Sequence, residues 1–196
     1  MNKLALFLIA ATAIAASAVA QVPGSAVPPA TPGPAAGAAA AKPKALLAPA
    51  DKKWIKDVSE AVLIEQKFLE LVVNNKTATF SEETKRTTGT MSGDLKRVWT
   101  ALATLAQGKG ADVAQEIPKM EESKVQRVSK EKPDKFEKEF FKDLGKETKR
   151  AVKLFEGSKT LLDAGIKKFA DDWTVTIKGH DGSVETAEKH LTAAKK

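Results

Sequence analysis

The chain has 196 residues, of which 42% are hydrophobic and 29% charged, with a formal net charge of +7. Those proportions place it with single-domain globular proteins and exclude a disordered chain. Cysteine is absent, which excludes disulfides, a thiol nucleophile and a lipidated cysteine, so the fold must be held by burial alone.

The chain opens with Met1-Asn2-Lys3, runs from Leu4 to Val19 without a charge, and offers the small-x-small site Ala18-Val19-Ala20 before Gln21. This is the pattern of a secretory signal peptide over residues 1–20. Its apolar run of about 16 residues is shorter than the roughly 20 that a membrane span needs. The expected location is therefore exported, periplasmic or extracellular, with no integral membrane span after cleavage. Residues 21–50 hold seven of the nine prolines amid alanine and glycine. Such a segment lacks donors and bulky apolar groups, so a disordered Pro/Ala-rich linker is expected there, followed by a folded domain over residues 51–196.

Within that domain the apolar period is helical throughout. Asp51 is expected to cap a first helix in which Trp54, Val58, Ala61, Glu65, Phe68 and Val72 share one face, ending at Asn74-Asn75. Ser81 is expected to cap a second, with Met91, Leu95, Val98, Leu102 and Leu105 inward and a stop at Gly108-Lys109-Gly110. Gly89 and Gly93 point to a close backbone approach or a late start of that helix. Residues 111–132 read as a connection with one or two helical turns. Pro133 suits the first turn of a third helix carrying Phe136, Phe140, Leu144, Ala151 and Phe155, broken at Gly157. A fourth segment, Ser158 to about Trp173, is expected to bury Leu161, Leu162, Ile166, Phe169 and Ala170. The alternation from Trp173 to Ile177 is strand-like but has no partner strand, so it reads as a helix extension or an irregular turn. After His180-Asp181-Gly182 a last helix is expected from Ser183 to Ala194.

Catalytic motifs are missing. There is no His-Glu-x-x-His, and neither histidine has a glutamate three residues before it, so the ligand pair of di-iron bundles is not present. Gly157-Ser158-Lys159-Thr160 shares letters with a phosphate-binding loop but lacks its other glycines and the preceding strand. His180, in a Gly-rich stretch, is expected to be solvated, and His190 to be a half-buried structural residue. Glu65 alone breaks the apolar stripe of its helix; it either reaches out to water from an edge position or faces the interior in need of a partner or a proton. Nucleic-acid binding is not expected, because the Lys-rich stretch 124–153 is interleaved with Glu131, Asp134, Glu137, Glu139, Asp143 and Glu147.

Asp51 with Trp54-Ile55, Val58 and Glu65, then Met91 to Leu95 with Leu102, Phe140 to Glu156, and His190-Leu191 give a pattern that resembles domain-of-unknown-function family 4142, exported bacterial proteins. The resemblance implies an all-α fold: a ferritin-like up-down four-helix bundle with an additional C-terminal helix. It also implies histidines beside two acidic residues, where this chain has Asp94-Leu95 and Glu147-Thr148, and an insertion of about ten residues within 171–181. What it leaves for metal is Glu65, Glu156 and His190, a degenerate site in which Leu95 and Thr148 stand at the histidine positions. The function expected is that of a non-catalytic envelope protein with no cofactor, binding an unknown envelope protein or polymer. The competing expectation is a ferritin-like metal-binding or oxidative-stress protein holding a divalent metal.

Overall fold

The computed structural model describes residues 47–75 and 80–193. The expected signal peptide and the expected linker as far as residue 46 lie outside the described residues. Five α-helices and no strand are found among those described: α1 (Pro49–Val73), α2 (Glu82–Lys109), α3 (Lys119–Ser129), α4 (Pro133–Glu156) and α5 (Ala164–Ala193), with a single 3-10 turn, Gly157–Thr160, before α5.

The sequence signals for the ends of α1, α2 and α4 hold, with one exception. Ser81 accepts the Thr84 backbone N–H at 3.2 Å, and Gly110 closes α2 in the left-handed conformation, φ 66°, that a side chain would oppose. Pro133 sits in the first turn of α4. The exception is Asp51. Helix α1 begins two residues earlier, with Pro49 in its first turn and Ala48 before it, and Leu47 is already buried. Freed from capping, the buried Asp51 carboxylate reaches the far end of the chain and accepts the backbone N–H groups of Leu162 (3.0 Å) and Asp163 (3.1 Å). Asp163 in turn caps α5, accepting from Gly165 at 2.8 Å and Ile166 at 3.0 Å. The starts of α1 and α5, at one end of the bundle, are thus tied by hydrogen bonds in series. Asp51→Ala leaves two N–H groups without their acceptor, and urea unfolding should show a loss of about 2 to 3 kcal/mol. A loss like that of an ordinary surface alanine would mean that water replaces the carboxylate without cost.

Cross-helix contacts fix the directions. Trp54 Nε1 donates to the Leu154 carbonyl at 2.8 Å and Arg150 pairs with Glu60 at 2.9 Å, so α1 and α4 run antiparallel. Thr148 meets Asp181 and Glu156 meets Lys178, so α4 and α5 do too. Asp94 with His180 and Lys109 with Asp163 give the same for α2 and α5. Since α2 and α4 therefore run the same way, the chain must return from the end of α2 to the start of α4. Residues 110–132 make that crossover. It contains α3, at 11 residues longer than the one or two turns expected. Neighbouring helices are all antiparallel, but the chain order is up, down, down, up.

The fifth helix is consequently α3, not a separate C-terminal one. The segment expected to turn at residues 180–182 continues as α5, a single helix of 30 residues that also absorbs the strand-like Trp173–Ile177 run. Leu162 is 77% exposed rather than buried, because the turn that brings its N–H to Asp51 directs Leu161 into the core instead. Gly89 and Gly93 mark neither a late start nor a close approach: α2 is helical from Glu82, and a Cβ at either would meet nothing within 4 Å. The close approach is at Gly145, where a Cβ would lie 3.3 Å from the Val184 side chain across the α4–α5 contact.

Two aromatic groups fill the ends of the core. Trp54, Phe155 and Phe169 pack edge-on or tilted with centroids 5.7 to 6.3 Å apart. Phe80, Phe136, Phe140 and Phe141 pack at 5.0 to 5.8 Å at the other end. Between these groups the core turns polar.

Candidate functional site: a polar layer across the bundle

Four helices contribute to this layer: Glu65 from α1, Asp94 from α2, Glu147 and Thr148 from α4, and His180 and Asp181 from α5. The registers derived above bring them to one height. All but Asp94 and Asp181 are buried, at 5% exposure or less.

Asp94 is held ionised. Burial raises its pKa, but Arg97, one turn on, and His180 outweigh that and hold it below the usual carboxylate range. His180 Nε2 lies 3.2 Å from Asp94 Oδ2. Burial pushes the imidazole pKa down despite the pull of Asp94, so at neutral pH the ring is uncharged and donates its Nε2–H to the carboxylate. Nδ1 is buried without a hydrogen-bond partner. The expectation of a solvated His180 is therefore corrected. The helix does not break at Gly179 or Gly182, and its period carries His180 inward. Asp94, without a histidine beside it in sequence, meets one from α5.

The Thr148 hydroxyl donates at 3.0 Å to Asp181 Oδ1, and also approaches the Gly145 carbonyl at 3.3 Å. Glu147 contacts Lys124 of α3 at 3.6 Å and Arg150 at 3.7 Å, while Lys124 also holds Glu121 at 2.8 Å. Burial, then the nearby Glu121, raises the Glu147 pKa.

Glu65 is enclosed on all sides and neither carboxylate oxygen has a hydrogen-bond partner. Its pKa is pushed up to about 8, first by burial, then by the negative fields of Glu147 and Asp181. Of the two readings of Glu65, the interior one is correct, and the residue meets its cost by keeping a proton.

The three residues expected to hold metal are not brought together. Leu95 is fully buried in the apolar core. Glu156 is exposed at the end of α4, paired with Lys178 at 2.7 Å, which lowers its pKa. In the α1–α4 register Glu65 lies opposite about residue 144, which puts Glu156 about 18 Å away along the axis. His190 is exposed near the end of α5 rather than half-buried. Among the described residues no group of three or more His, Asp and Glu side chains is placed to hold a metal ion. The donor set Glu65, Glu156 and His190 does not fit one.

Fold and layer together define a class: an all-helical protein of four long helices joined by one crossover, with a polar layer closed inside an apolar core. The family model for "Domain of unknown function (DUF4142)" matches residues 35–187, and the chain belongs to that family. Its fold is similar to that in a crystal structure of a DUF305 fragment from Deinococcus radiodurans, with a TM-score of 0.64 at 10% identity, over 74% of this chain and 99% of that one. No curated protein matches it. None of the described helices is long and apolar enough to cross a membrane.

Proposed function

We propose that this chain is a non-catalytic exported protein of the cell envelope, whose helical bundle works by binding an envelope protein or polymer. The observation that carries the reading is the commitment of the polar layer to itself. Asp94 is held by His180 and Arg97, Thr148 by Asp181, and Glu147 by Lys124 and Arg150, while Glu65 is walled in with its proton. A general acid or base must reach the proton it moves, directly or through one water; Asp94, Thr148 and Glu147 face these partners instead, and Glu65 is enclosed without one. Open recesses lie elsewhere, one of them lined by Lys149, Glu185, Glu188, Lys189, Thr192 and Ala193 on the outside of the bundle. What the molecule offers a partner is its surface.

The test has two parts. Chain produced in a bacterial host should be recovered from the exported fraction starting at Gln21, and should sediment with isolated envelope material. Recovery inside the cell with residues 1–20 intact would remove export from the proposal. The same protein, purified without added metal, should carry no stoichiometric iron, zinc, copper or manganese. One tightly held equivalent, lost on Glu65→Ala, would replace this reading with the metal-binding one.

A further inference from the structure

The six lysines Lys135, Lys138, Lys142, Lys146, Lys149 and Lys153 follow one another at steps of three, four, four, three and four along α4. At 100° per residue such steps return to nearly one direction, so the six form a single stripe about 27 Å long. All six are exposed. The acids between them in sequence do not share that stripe. Glu139, Asp143 and Glu147 recur every fourth residue on the flank of α4 facing α3, where they meet Arg127 and Lys124. Glu137 turns back to accept the Ser81 N–H at 2.8 Å. Sequence interleaving thus resolves into an acidic flank that pairs with α3 and, at Glu139 and Asp143, with the edge of the ridge, and a basic ridge whose lysines are exposed.

Three members of the ridge touch acids: Lys142 with Glu139 at 3.2 Å, Lys146 with Asp143 at 2.7 Å and Lys149 with Glu185 of α5 at 3.0 Å. The lysine ends of these pairs are exposed, and Lys149–Glu185, exposed on both sides, is worth little and exchanges readily. Among the described residues Lys135, Lys138 and Lys153 have no ion-pair partner. Beside Lys149, α5 brings Glu188 and Lys189 as well as Glu185.

We propose that the α4 ridge binds a linear phosphate-bearing polymer lying along it. The ridge is one lysine wide, with positive charges about 4.5 to 6 Å apart, which suits a chain of anionic groups. A membrane surface is disfavoured because, among the described residues, the exposed large apolar ones, Val73, Met120, Leu162 and Val175, are not on α4, so the ridge has no such group of its own to enter a bilayer. Nucleic acid is disfavoured because Phe136, Phe140, Phe141 and Phe155 all face inward, leaving no stacking platform. Lysine in place of arginine supplies point charges that hold phosphate without reading its neighbours. The inference rests on the binding role proposed above and names the surface and partner chemistry for it.

The experiment measures binding of labelled linear polyphosphate to the whole chain over a range of salt, with single-stranded oligothymidylate and phosphatidylglycerol vesicles as comparators. The triple variant Lys135→Gln, Lys138→Gln, Lys153→Gln should bind polyphosphate at least about tenfold more weakly, and its salt slope should fall by about 2. A control of equal net charge, Lys52→Gln, Lys56→Gln, Lys96→Gln, should keep both within about twofold, with thermal melting showing all three proteins folded. Equal losses in both variants would reduce the effect to net charge and overturn the proposal. Preference for vesicles or for the oligonucleotide over polyphosphate would overturn it too. Envelope material still bound by the Lys135/Lys138/Lys153 variant as by the parent would sink the ridge while leaving the binding role standing.

Discussion

Replacing Glu65 by glutamine is expected to stabilise the protein by an amount that depends on pH, from near zero at about pH 4 to about 3 to 5 kcal/mol at about pH 9. The native chain keeps the Glu65 proton up to a pKa of about 8, whereas an unperturbed glutamate titrates at 4.5. Between those values the folded state binds more protons than the unfolded one, so stability falls as pH rises through the window and levels off above it. Glutamine cannot ionise and has nearly the same shape, so it removes the fall while leaving the packing alone. His180, lowered, titrates in both proteins and cancels in the difference, whereas Glu147 is coupled to Glu65 and its share of the Glu65 shift disappears with the carboxylate. Urea unfolding of both proteins across this range gives the comparison directly. Parallel curves would show that Glu65 reaches water or a cation in solution and is not held neutral.

The second large effect is expected at Phe140. Its ring is fully buried, stacked on Phe136 with centroids 5.8 Å apart and edge-on to Phe141 at 5.0 Å. Truncation to alanine removes the ring and opens a cavity between α4 and its neighbours, and the expected cost is about 3 to 5 kcal/mol. A loss under about 1 kcal/mol by chemical denaturation would mean that the neighbouring rings close the gap, or that this face of α4 is turned away from the core.

The missed parts of the site had signals of different strength. His180 was within reach: Ile166, Ala170, Trp173, Ile177, His180, Val184 and Ala187 recur at steps of four and three without interruption. That stripe runs through Gly179 and Gly182, whose helix-weakening tendency, about 1 kcal/mol each against alanine, is outweighed by the burial of Ile177, Val184 and Ala187. Leu162 could not have been told from Leu161 by type or period, since which of two adjacent leucines faces inward depends on a turn set by Asp51, more than a hundred residues earlier.

By itself the sequence determined the helical class, the inward faces of α1, α2 and α4, the Ser81 and Gly110 ends of α2, and the anomaly of a carboxylate at Glu65. These follow from spacing and local backbone preference, which act within a few residues. Only the tertiary structure decided that Asp51 ties the start of α1 to α5, that Asp94 finds its imidazole on another helix, and that Glu156 and His190 stand away from Glu65. It also set the acidic flank of α4 against Arg127 and Lys124 of α3. Each of these depends on register and direction between helices distant in sequence, which no local pattern encodes.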